Sequence, residues 1–187
     1  LGAYVMNTVS HADTMSANNV SLLKAATLTL SGYLGSATVT LAADSTSANT
    51  SVKKVAADVN AVKDSTGIEA TAITKGKISG VSLAGKISFD LAGNQTDGVA
   101  ATTYDVTATL SATSDLDPLV DAINAHAANT GITAILGSAA SEIILTHSTG
   151  ETIEVSNLKV VTTDGTMVLT ALDKFGNDVQ TKDTTIG

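Results

Sequence analysis

Val59 to Ile68 reads VNAVKDSTGI, and 64 residues later Ile123 to Ile132 reads INAHAANTGI. A repeat of this kind constrains a fold strongly, because two copies of one supersecondary unit must each bury the same apolar stripe. In the first copy Val52, Val55, Ala56, Val59 and Val62 fall on one helical face; in the second Leu116, Leu119, Val120 and Ile123 do. Each stripe stops at a Thr-Gly step, Thr66-Gly67 and Thr130-Gly131, where glycine can take the left-handed conformation that ends a helix. The correspondence also covers Asn60 and Asn124, Ile68 and Ile132, and Ala70 and Ala134. An asparagine inside a helix costs propensity. Asn60 and Asn124 are therefore expected to do structural work, their amides bonding the backbone of an adjoining loop or strand.

Around these helices the chain alternates. ATLTL (26–30) and ATVTL (37–41) flank a loop with Gly32 and Gly35 and read as a β-hairpin. Ser51 or Thr50 can cap the first helix. IEATAI (68–73) reads as a strand, as do KISFDL (86–91), YDVTATL (104–110), ITAIL (132–136), EIILTH (142–147) and ETIEV (151–155). The sole proline, Pro118, suits the first turn of the second helix, with Asp117 expected as its N-cap. VVTTDGTMVLTAL (160–172) predicts one more hairpin, turning at Asp164-Gly165. The expected fold is α+β: mostly antiparallel strands with one helix packed on each of two tandem related units, residues 1–80 and 81–187, joined near 78–83. The other sheet face is Thr/Ser-rich and expected to be wet.

Composition excludes several classes. There are ten Lys and no Arg, and the net charge is −8. That argues against nucleic acid, which requires a basic surface, and against an anionic membrane surface. No run approaches 18 apolar residues. Cysteine is absent, so there are no disulfides, thiolate metal sites or cysteine nucleophile. Aromatics are 3% of residues, so Ala, Val, Ile and Leu must make the core. The start, LGAYVMNTVSHAD, has neither a basic n-region nor an apolar h-region, and the chain is expected to be a piece of a longer one.

Chemical motifs are weak. His11, His126 and His147 lack the spacing of a zinc site and are expected at the solvent or rim. Asp115, Asp117 and Asp121 lack the alternation, glycine and closing glutamate of a calcium loop; capping and the helix dipole account for them. No G-x-S-x-G, dinucleotide fingerprint or phosphate loop occurs. No catalytic residue, metal or cofactor is expected. Asn19, Asn49 and Asn94 begin N-glycosylation sequons.

The second copy, from the strand at Lys86 through SDLDPLVDAINAHAANTGITAILGSAASEIILTHSTGETIEV, resembles the IN motif of the outer, variable part of bacterial flagellins and of related hook-associated and filament-cap proteins. The resemblance spans about 86–160. The first copy, about 28–72, has Val59-Asn60 in place of Ile-Asn and lacks the strands corresponding to EIILTH and ETIEV. The motif residues are Asn60, Gly67, Asp117, Pro118, Ile123, Asn124, Thr130 and Gly131. The resemblance implies a structural, surface-exposed outer domain of a flagellar filament subunit, extracellular, contributing to the filament surface and motility. Its partners are then other copies of the subunit in a helical filament, with possible O-linked glycans. A hook-associated or cap protein domain is the nearest alternative. An extracellular carbohydrate-binding module is a more distant one, since sugar sites use exposed aromatics.

Overall fold

The computed structural model describes residues 26–41, 52–82, 84–93, 102–160, 166–178 and 184–186. The sequons, His11, the Thr50/Ser51 cap and the Asp164-Gly165 turn lie outside the described residues. The elements in order are β1 (Ala26–Ser31), β2 (Ser36–Leu41), α1 (Val52–Asn60), α2 (Lys63–Thr66), β3 (Thr74–Ser79), β4 (Gly85–Ala92) and β5 (Tyr104–Leu110). Then come α3 (Asp117–Ala125), α4 (Ala127–Thr130), β6 (Ile132–Leu136), β7 (Ile143–His147), β8 (Glu154–Val160), β9 (Met167–Leu172) and β10 (Thr184–Ile186). The fold is α+β, and among the described residues every strand pairing is antiparallel. Among the described residues no helix is long and apolar enough to cross a membrane.

Local alternation decides the hairpins. β1 and β2 pair from Ala26↔Leu41 to Ser31↔Ser36, and β4 and β5 from Gly85↔Leu110 to Leu91↔Tyr104. Each hairpin leads to a helix, α1 over β2 and α3 over β5 and β6. Val52, Val55 and Val59 are the buried face of α1; Leu119 and Ile123 are that of α3. Burying one such side chain stabilises by about 1.5–3 kcal/mol. The apolar residues gather in two clusters. A large one includes Ile78, Phe89, Leu119, Ile123, Ile132 and Leu145; a small one holds Leu30, Val39, Leu41, Val55 and Val59.

The sheets run β1-β2, β5-β4-β8 and β10-β9-β3-β7-β6. β3, from the first copy, lies between β7 and β9, pairing Ile78↔Ile143 on one side and Ile78↔Leu169 on the other. The terminal strands of the two copies are thus neighbours in one sheet.

Four expectations are corrected. Residues 68–73 are not a paired strand; β3 begins at Thr74. In the second copy residues 137–142 turn β6 back onto β7, whereas only Ile73 separates 68–72 from β3, too short to reverse the chain. The strand expected at 151–155 begins at Glu154 and runs to Val160. β8 and β9 are not a hairpin, since β8 pairs with β4 and β9 with β3 and β10. Asp117 is not the N-cap: it lies in the first turn of α3, Leu116 holds the cap position, and no side chain caps the end. Leu116 is buried in the core, so burial fixes where the helix begins. Pro118 stays in the first turn, where its missing N–H costs nothing.

Candidate functional site

The most organised constellation is the repeated one. Asn124 projects from the last turn of α3. Its Nδ2 donates to the Ala134 carbonyl at 2.9 Å, and its Oδ1 accepts from the Ala134 N–H at 2.8 Å. Asn60, on the last residue of α1, does the same to Ala70, at 2.9 Å and 2.8 Å. The carboxamide carries one donor and one acceptor in one plane, as a peptide group does. β6 is the outer strand of its sheet, and Asn124 occupies the edge where another strand would pair.

The stop that follows is also duplicated. Thr130 Oγ1 donates to the His126 carbonyl at 3.0 Å and accepts from the Ile132 N–H at 3.1 Å. Thr66 Oγ1 makes the matching bonds to Val62 and Ile68 at 2.9 Å and 3.2 Å. Gly67 and Gly131 both have φ +72° and close the short helices α2 and α4. Helix, hydroxyl and left-handed glycine thus form one clasp, made twice, leading into the strand β6 in the second copy and, among the described residues, into an unpaired stretch in the first. Both threonines are buried, and each hydroxyl spends its donor and its acceptor on backbone.

The two clasps differ in what lies over the glycine. A Cβ on Gly131 would stand 2.4 Å from His147 Nε2; one on Gly67 would meet the Tyr33 ring at 2.2 Å. His147 is buried, 4% exposed, which corrects the expectation of a rim histidine. Its Nε2–H donates to the Thr130 carbonyl at 3.1 Å, because a carbonyl can only accept. Nδ1 then accepts from the Thr149 N–H and hydroxyl, at 3.4 Å and 3.2 Å. Burial pushes the imidazole pKa below its usual value, against an opposing pull from Glu151. His126 ends α3 with its ring 5.7 Å from that of Tyr104.

The copies also touch. Lys53, in the first turn of α1, pairs with Glu151 beyond β7, and the Lys53 N–H donates to the Gly150 carbonyl at 3.2 Å. Lys77 on β3 pairs with Asp178 at 2.8 Å and reaches Glu142 at 3.7 Å. The Asp178 hydrogen bond, with both carboxylates, raises the lysine pKa and keeps the ammonium charged. Asp173 accepts from the Phe175 and Asn177 N–H groups at 2.8 Å and 2.9 Å in the turn after β9.

Among the described residues, no three His, Asp or Glu side chains converge to hold a metal ion, so Asp115, Asp117 and Asp121 remain separate. Asp115 instead bonds the Ser111 hydroxyl. Sequence reasoning missed the burial of His147, and it missed the Lys53–Glu151 pair because that pair depends on the copies meeting. The alternation that buries Ile143 and Leu145 also buries position 147 and could have flagged the histidine.

A family model described as flagellin hook IN motif matches residues 27–84 and again 88–149, together well over half of the chain. Each match contains one Asn clasp. No curated protein sequence matches the chain.

Proposed function

The chain belongs to the flagellin hook IN motif family, and we propose from that premise that it is a structural, surface-exposed outer domain of a bacterial flagellar filament subunit. The observation that carries this reading is the double clasp. Its polar side chains bond backbone, at positions inside both family matches, and so hold a surface in shape. In this reading the domain is extracellular, carries no enzymatic activity, and contributes to the filament surface and to motility. Other copies of the subunit are its partners, held in a helical filament by segments outside the two IN-type units (1–80 and 81–187). Its acidic, arginine-free surface suits solubility at high local density. Exposed Ser and Thr are the places for O-linked glycans.

Sedimentation of the isolated chain at high concentration, beside a parent chain carrying its natural ends, tests the proposal. A folded monomer beside a filament-forming parent is the expected result. Fibres or sheets from the isolated chain would move the polymer contacts onto this domain and sink the reading. An adhesive, carbohydrate-binding module is favoured by one observation only. Tyr33 and Phe175 stand 78% and 73% exposed. Glycan-array binding lost in Tyr33→Ala or Phe175→Ala would establish that alternative.

A further inference from the structure

The carbonyl of each clasp threonine is a docking point, and the two copies fill it with different chemistry. In both, a glycine after the first hairpin strand presses on it. A Cβ on Gly32 would stand 2.0 Å from the Thr66 carbonyl oxygen, and one on Gly93 2.3 Å from that of Thr130. In the first copy the Leu34 N–H donates to the Thr66 carbonyl at 3.4 Å, and a peptide N–H does not titrate. In the second copy the Nε2–H of His147 holds the Thr130 carbonyl, so of the two docking points this one carries a group able to titrate near neutral pH. The far side of the ring looks onto the seam between the copies. There Nδ1 accepts from the Thr149 N–H and hydroxyl. One residue on, the Gly150 carbonyl accepts the Lys53 N–H at 3.2 Å, so the second copy satisfies one of the donors at the start of the first copy's α1. Glu151 then pairs with the Lys53 ammonium. Gly150 has no slack. Its φ is +78°, and a Cβ there would stand 2.3 Å from the Ala72 Cβ and 3.2 Å from the Lys53 nitrogen and Val52 Cγ2. Movement of the 147–151 turn is therefore felt at α1.

We propose that the 147–151 turn is an acid-released latch between the two copies, in which a proton on His147 Nδ1 frees Thr149 and undocks the start of α1 from Gly150 and Glu151. The donor and acceptor inventory requires the first step, since an imidazolium donates at both nitrogens. Nε2–H can keep Thr130 in either charge state, so the change is registered at Nδ1. There the new N–H faces the Thr149 N–H, and two donors cannot bond. The Thr149 hydroxyl can turn its oxygen towards the new proton; the peptide N–H cannot, so the turn must shift. Charge drives the second step. Among the described residues the charged groups acting on the ring are Glu151, which favours the proton, and Lys53, which opposes it. The sheet neighbours of His147, Thr74 on β3 and Ile132 on β6, are uncharged. A charged ring thus competes with Lys53 for Glu151, and the pair that joins the copies weakens. Burial opposes the proton at neutral pH, so the latch is closed there and opens in mild acid. This inference goes beyond the flagellar reading and does not depend on it.

Hydrogen exchange at the Lys53 amide, read in the full chain, tests the latch. Protection is the measured rate set against that of an unstructured chain at the same pH, which removes the intrinsic pH dependence. From about pH 7.5 to about pH 5 the Lys53 amide is expected to lose protection roughly tenfold or more, while the amides of the β4–β5 ladder keep theirs. Nitrogen NMR of the His147 ring is expected to show the Nε2–H tautomer at the upper pH and a titration midpoint that coincides with the loss at Lys53. His147→Gln, which carries no titrating ring, is expected to hold Lys53 protection level throughout. Unchanged protection at Lys53 while the ring titrates would overturn the proposal, as would a ring still neutral at the lower pH. An Nδ1–H tautomer at the upper pH would overturn it too. So would loss in the β4–β5 ladder in step with Lys53, or the same loss at Lys53 in His147→Gln. Should that variant fail to fold, the native sequence decides: separate midpoints for the ring and for the Lys53 amide sink the latch.

Discussion

Asn124 holds Ala134 by both backbone groups, so a side chain of α3 takes the place of a strand beside β6. Asn60 makes the same pair of bonds to Ala70. Removing either asparagine leaves a donor and an acceptor without partners.

Asn124→Ala is therefore expected to cost about 2–3 kcal/mol, since each orphaned backbone group carries a penalty of about 1–3 kcal/mol where water cannot reach it. Asn60→Ala is expected to cost roughly 1 kcal/mol, because its bonds lie at an exposed position where water replaces them. Chemical denaturation of the two variants measures the difference. Equal losses would contradict the edge-closure argument.

Gly131→Ala should be worse than Gly67→Ala. Both demand φ +72° of a residue with a Cβ, at a cost of about 1 kcal/mol. At Gly131 the new methyl also meets the buried His147 ring, which is tied at both nitrogens. At Gly67 it meets the ring of the exposed Tyr33, which can swing aside. Denaturation midpoints should separate the two by about 1–3 kcal/mol, the usual penalty of forcing extra volume into a packed site.

Acid should loosen the second clasp. The folded state depresses the His147 pKa, so the unfolded chain takes up the proton first as pH falls. Stability from this group is fully present above about pH 6.5, the ordinary imidazole value, and is lost as pH falls through 6.5 towards the depressed folded value. Denaturation midpoints from pH 7.5 to 5 should drop in the native sequence and drop less in His147→Gln. Parallel profiles would sink this assignment. The Asp173 carboxyl, held below its usual range by the Asn177 amide, contributes in the same sense at lower pH: its share is present above about pH 3.8 and lost as pH falls below it.

Lys53 and Glu151 join the two copies unevenly. Lys53 is largely exposed, whereas Glu151 is buried, so losing the lysine strands a carboxylate in the interior. Lys53→Met is expected to cost about 1–2 kcal/mol, more than a surface pair's 0–1 kcal/mol. Glu151→Gln should cost less, because an amide needs no counter-charge. The salt dependence of the unfolding midpoint should flatten in Lys53→Met.

What the sequence made legible was local. The spacing of ATLTL and ATVTL about a glycine turn specifies β1 and β2, and YDVTATL coincides with β5. Stripes such as Leu119 and Ile123 report the buried face of a helix, because 3.6-residue periodicity is a property of one segment. Sheet partners are not such a property. VVTTDGTMVLTAL has the pattern of a hairpin, yet β8 pairs with β4 and β9 with β3, each more than 60 residues earlier in the sequence. Asp117 had the chemistry of a cap, but burial of Leu116 set the start of the helix. The clasp residues Asn60, Asn124, Thr130 and Gly131 were legible because duplication displays them twice. His147 was not, because its polarity argues for solvent while its place in β7 decides otherwise.

β3 sits in the middle of the five-stranded sheet, not at a border. A graft that moves residues 81–187 alone into another host would leave β7 and β9 facing an empty lane. A graft starting at Thr74 would carry its own central strand. Exchange of this domain between chains, by recombination or by design, therefore has its natural seam before Thr74, seven residues ahead of residue 81, the start expected for the second unit.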